Sequence, residues 1–152
     1  MTVDEKLTEL GIELPEPPQL AFTPRLRAVQ VHDGVAYLSG NGDFSVCGRV
    51  GADVTVEQAA AAARATAFLH CRALVDSLGS LDAVTRWLKV LVLVRSADGF
   101  GEQPAVANGY TNAIVELWGE ERGLCARSAI GVPELPMGLA VEIEAVVALR
   151  ES

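Results

Sequence analysis

From Val56 to Leu78 the chain sets Val56, Ala60, Ala63, Ala67, Cys71, Leu74 and Leu78 at steps of three and four residues. That recurrence puts side chains on one face of an α-helix. The stripe is narrow and made mostly of small side chains, so the helix is suited to lie flat and close on a β-sheet. Thr55 stands where an N-cap is needed, Glu57 and Gln58 fall in the first turn, and Gly79 ends the helix. Helices owe most of their stability to the surface they pack on. The rest of the chain must therefore supply a sheet with one face free to receive this one.

The flanking segments read as that sheet. Arg25 to Val31 and Val35 to Ser39 form a hairpin about His32-Asp33-Gly34, where Asp-Gly is a strong turn signal. Val84 to Val94 is a nearly unbroken apolar run with Lys89 inside it, expected to be central and largely buried. A second helix is predicted from Gln103 to Trp118, interrupted in its first half by Gly109 and stopped by Gly119. Cys125 to Val132 and Ala140 to Leu149 are the closing strands. Before all of these, Thr2 or Asp4 caps a short helix that Gly11 stops, and Leu14-Pro-Glu-Pro-Pro18 is extended because proline excludes helix there. Arg49 to Val54 is a short edge segment. The order is that of an α+β layer, one mixed sheet with two helices on one face. The other face has no helix left to cover it; its Ala, Val and Leu residues favour a second subunit there. No linker divides the chain, so residues 1–152 read as one domain with an N-terminal extension over 1–24.

Composition narrows the function. The formal net charge is −8, and Lys6 and Lys89 are the only lysines. Nucleic-acid binding calls for clustered basic residues that displace counterions, so no nucleic-acid partner is expected. Charged residues interrupt every apolar run before it reaches membrane-spanning length, and the acidic N-terminus lacks a signal-peptide core. No membrane partner is expected, and the reading is cytoplasmic. Cys47, Cys71 and Cys125 are far apart, as reduced thiols would be. His70 and Cys71 are adjacent, but helix neighbours diverge by about 100°, so no metal site is expected. Mean hydropathy is +0.28, which again leaves apolar surface for subunit contacts.

Chemistry concentrates in Cys125 to Ala145. Arg127 lies early in one apolar strand, and Glu142 and Glu144 share one face of the next. A guanidinium near a carboxylate can hold a small carboxylate ligand and move a proton beside it. Alternatively, Arg127 pairs across strands with Glu142 or Glu144, and Glu144 serves in place of Glu142. Ser39-Gly40-Asn41-Gly42 breaks regular structure, and its glycines let backbone approach a ligand or another chain. Trp87 and Trp118 are expected to pack in the core or at an interface.

Ser39-Gly40-Asn41, the alanine-rich helix running into Leu78-Gly-Ser-Leu-Asp82, Ala126-Arg-Ser-Ala129 and Val141-Glu-Ile-Glu-Ala145 together resemble the YjgF-like, or Rid (reactive intermediate deaminase), family over Arg25 to Leu149. The opening Leu10-Gly-Ile-Glu-Leu-Pro-Glu-Pro-Pro18 looks like one branch of it. The resemblance implies a chorismate-mutase-like fold assembled as a homotrimer with a central barrel and clefts between subunits. It implies hydrolysis of enamine and imine intermediates such as 2-aminoacrylate to 2-keto acids and ammonia, without a cofactor. By the same resemblance Arg127 clamps the substrate carboxylate, Glu142 positions or activates water, and Asn108, Ser39 and Gly40 line the cleft. The sequence departs from many members: no tyrosine matches the first-strand tyrosine of the deaminases, with Leu26 near that point, and Ala129 stands where cysteine is common. Two other activities fit the family, a non-catalytic trimer that binds a small carboxylate and an endoribonuclease. The acidic charge counts against the second.

Overall fold

The computed structural model describes residues 1–152. Its elements are α1 (Val3–Glu9), β1 (Val29–His32), β2 (Val35–Asn41), α2 (Val56–Leu78), β3 (Val84–Arg95), α3 (Gln103–Gly123), β4 (Ala126–Val132) and β5 (Val141–Leu149). The five strands form one mixed sheet in the order β1-β2-β5-β3-β4, with β3 and β4 parallel and the other neighbours antiparallel. Both long helices lie on one face of it.

The local signals act as expected. Thr55 and Gln58 close a reciprocal capping box at the start of α2, and Gly79 ends it at φ 87°. Asp33 and Gly34 both take positive φ in the β1–β2 turn, the conformation a two-residue hairpin needs. Gly119 breaks the helical backbone at φ 77°, and a further helical turn then carries the chain to Gly123. Thr2, not Asp4, caps α1. The Asp4 carboxylate instead accepts from the Leu81 N–H and the Ser80 hydroxyl, while the Val3 N–H donates to Asp82 at 2.7 Å. These bonds pin α1 to the turn that follows α2.

The α2 face is wider than its sequence stripe. Ala59, Ala62, Thr66 and His70 are buried along with Ala63, Ala67, Cys71 and Leu74, because α3 packs on the flank of α2 as the sheet packs beneath it. Gly109 marks the tightest point of that contact. A Cβ there would stand 2.0 Å from the Ala60 carbonyl oxygen, so the interruption seen in the sequence is where two backbones approach. Trp87, Tyr110 and Trp118 stack edge to face between sheet and helices, with ring centroids 5.9 and 5.3 Å apart. The Trp118 indole donates to the Val84 carbonyl.

One strand differs from its expectation. β3 is interior to the sheet, yet only its helix-facing residues are buried throughout. Val84, Trp87, Val90, Val92 and Val94 are sealed, whereas Leu88 and Lys89 are exposed. The apolar run reflects an uncovered second face, on which Lys89 donates to the Ser128 hydroxyl at 3.3 Å. No helix is long and apolar enough to cross a membrane.

Candidate functional site

Strand parity decides where each candidate side chain points. On β5, Val141, Ile143, Ala145 and Val147 are buried under the helices, so Glu142 and Glu144 take the open face. Arg127 pairs in register with Val90, which pairs with Ala145. Both partners are buried under the helices, so Arg127 takes the covered face. β3 separates β4 from β5. The two halves of the expected arginine–carboxylate site thus lie on opposite faces of the sheet, and Arg127 makes no cross-strand pair with Glu142 or Glu144.

The first half is built on β4 and α3. The Arg127 Nη1 donates to the Asn108 side-chain oxygen at 2.9 Å and to the Thr111 hydroxyl at 3.0 Å. Asn108 and Thr111 are three residues apart on α3 and so share a face. They hold one edge of the guanidinium and leave Nη2 and Nε without protein acceptors. The expectation joined Arg127 and Asn108; Thr111 was missed, although its position three residues after Asn108, on the same helix face, was the available signal. Cys125, two residues before Arg127, is half-buried, and burial raises its thiol pKa despite the nearby Arg127 and Lys89 charges. It is a poor thiolate.

The second half is built on β2 and β5. Their register shifts between Leu38 and Asn41, and this irregularity carries Ser39 and Gly40 past Glu142. A Cβ on Gly40 would meet Glu142 Oε2 at 2.9 Å. Burial, and then the neighbouring Glu144 charge, raise the Glu142 pKa. Neither Glu142 nor Arg127 has an ion-pair partner within the chain.

Ser39 is held on three sides. Its hydroxyl donates to the Arg27 carbonyl at 2.6 Å, its N–H to the Ala28 carbonyl at 3.0 Å, and its own carbonyl accepts from His70 Nε2 at 3.0 Å. Because a carbonyl can only accept, His70 carries its proton on Nε2. Nδ1 then accepts from the Tyr110 hydroxyl at 2.7 Å. Full burial lowers the His70 pKa to about 4, against the opposing pull of the Ser39 carbonyl. A neutral histidine of fixed tautomer therefore anchors the strand irregularity to the core. The sequence showed His70 only as an unpromising metal ligand; its partners lie 31 and 40 residues away.

Ser39, Gly40, His70 and Glu142 border a cavity of about 420 Å³, walled on its far side by the extended segment from Pro17 to Ala28. Arg127 and Asn108 are not among its lining residues.

Comparison with known proteins places this architecture. Residues 21–149 match the family model described as Endoribonuclease L-PSP. Protein TCP17 of Trypanosoma cruzi is 41% identical, over 97% of this chain and 94% of its own length. The crystal structure of Agrobacterium tumefaciens Atu1372 is 32% identical, with a TM-score of 0.84 over 97% of this chain and 92% of that one. The Escherichia coli YjgF product is 25% identical, with a TM-score of 0.55 over 89% and 93% of the two chains. By sequence and by fold, the chain belongs to the Endoribonuclease L-PSP family, the group that includes YjgF.

Proposed function

We propose that this protein hydrolyses enamine and imine intermediates bearing a carboxylate, in clefts shared between the copies of a homotrimer. The observation that carries the reading is the Arg127 guanidinium, fixed along one edge by Asn108 and Thr111 and facing no carboxylate of its own chain. A guanidinium with free donors in a fixed fork suits a bidentate carboxylate ligand. Glu142 lies on the other sheet face, so a cleft using both groups takes Arg127 from one copy and Glu142 from another. The uncovered face with exposed Tyr37 and Leu88 supports such an assembly.

The chemistry follows from the two groups. An enamine such as 2-aminoacrylate gains a proton at its terminal carbon and becomes the imine. Water adds to the imine carbon, a proton reaches nitrogen, and the carbinolamine collapses to the 2-keto acid and ammonia. Arg127 fixes the carboxylate. Glu142, with its raised pKa, exchanges the protons and aims the water. Gly40 leaves Glu142 the room to do so.

An endoribonuclease reading, which the family's name carries, is disfavoured by charge. Arg49, Arg64, Arg72, Arg86 and Arg95 each lie against a carboxylate, which leaves no continuous basic track for a phosphate backbone. A trimer that binds keto acids without turnover would use the same arginine.

The test is release of ammonia and keto acid from 2-aminoacrylate generated in situ, with wild type and Arg127→Ala compared. Acceleration by the wild type that disappears in the variant supports the deaminase. No acceleration by the wild type removes the catalytic reading.

A further inference from the structure

The walls of the Glu142 cavity are more apolar than a three-carbon substrate requires. Leu20, Phe22, Leu26, Phe44, Met137 and Leu139 all line it. Phe22 and Leu26 are each 58% exposed and Met137 52%, so three of the chain's large exposed apolar side chains converge on one space. Most of its polar lining is already engaged: Arg72 pairs with Asp76, His70 is held by Ser39 and Tyr110, and the Ser39 hydroxyl donates to Arg27. Glu142 alone stands there as an acid without a basic partner.

Size points the same way. The six heavy atoms of 2-aminoacrylate would fill roughly 180 Å³ at a liquid-water share of ~30 Å³ per atom. The cavity holds about 420 Å³, and a ligand seated against Glu142 with so few atoms would leave its apolar wall wet. Pro17, Pro18 and Leu20 of that wall precede residue 21, where the family match begins. The wall thus lies partly outside the residues that the family model matches, and prolines keep it extended along α2.

We propose that the cavity receives the side chain of a 2-imino or 2-oxo acid, and that the side chain is a branched or aromatic hydrocarbon. This specificity rests on the carboxylate site proposed above. The acid's reacting carbon lies by Glu142, and its hydrocarbon lies against Phe22, Leu26 and Met137. Apolar contacts of this kind discriminate by about 10-fold or more for each added methylene, so the preference is cumulative.

Calorimetric titration of the full-length protein with pyruvate, 4-methyl-2-oxopentanoate and phenylpyruvate tests it without depending on turnover. The expected result is that both larger acids bind at least 10-fold more tightly than pyruvate. In a Phe22→Ala/Leu26→Ala double variant of unchanged fold, that ratio should fall towards one. Equal or tighter binding of pyruvate overturns the side-chain specificity and leaves the carboxylate site standing, as does a ratio untouched by the double variant. Absence of binding by all three acids overturns both.

Discussion

The two faces of the sheet obey different rules. Under the helices, Val90, Val92, Ala145 and Val147 are at most 3% exposed, and the one charge there, Arg127, is tied at the sheet's edge by Asn108 and Thr111. On the open face Tyr37 and Lys89 are exposed, and Glu142 and Glu144 sit side by side with no basic residue paired to them. Two adjacent carboxylates beside apolar side chains raise each other's cost of ionisation, and one of them already shows it. The covered face is optimised for packing, whereas the open face keeps a destabilising arrangement of the kind functional sites retain. The contrast locates the proposed chemistry where the fold gains least from it.

Removing the charge on the covered face should have the largest effect. Arg127→Ala is expected to cost roughly 3–5 kcal/mol of carboxylate or transition-state binding, read as lost kcat/KM or lost keto-acid affinity, with thermal stability nearly unchanged. Equal losses of stability and affinity would make Arg127 part of the packing instead. Gly109→Ala is the converse. Its Cβ would collide with the Ala60 backbone, so denaturant unfolding should register about 3 kcal/mol of destabilisation, the upper part of the usual overpacking range. A loss under about 1 kcal/mol would mean that α2 and α3 separate more readily than their contact suggests.

Acid should act through the junction of the two faces. His70 is neutral in the fold with a pKa of about 4, below its unfolded value near 6.5. The unfolded chain therefore takes up its proton first, and stability falls as pH drops from about 6.5 to 4, by roughly 3 kcal/mol in all from this group. The slope over that window should flatten in His70→Gln; an unchanged slope would assign it to the carboxylates. The smallest effect belongs to the open face. Because the folded pKa of Glu142 is raised, its ionisation weakens the fold as pH rises through that value. Glu142→Gln should slightly raise Tm at neutral pH while turnover falls, and a lowered Tm would contradict the strained-acid account.

Much of this was legible in the residues, for identifiable reasons. Thr55, Gly79, Asp33-Gly34 and Gly119 act locally, so their roles survive into the fold. Alternation in Val141-Glu-Ile-Glu-Ala145 placed both glutamates on one face without any tertiary information. Ala126-Arg-Ser-Ala129 has no such contrast, because its small neighbours suit either face. The side taken by Arg127 is fixed only by the parallel register of β4 on β3. His70 is similar: a buried helix position shows in the sequence, but a tautomer set by Ser39 and Tyr110 depends on contacts far along the chain. The segment from Leu14 to Pro18 reads as extended and no more. Its place beside the cavity depends on α2.

On the reading proposed here, Arg127 and Glu142 act together only across copies of the chain. Co-expression of Arg127→Ala with Glu142→Gln tests it directly, since each variant alone is expected to lose turnover of the imine. At a heterologous interface with random mixing, about one quarter of the clefts pair an intact arginine with an intact glutamate. Recovery of about that fraction of wild-type turnover is expected on this reading, by the same pairing statistics. Mixed oligomers that form, yet stay as inactive as their parents, would contradict it.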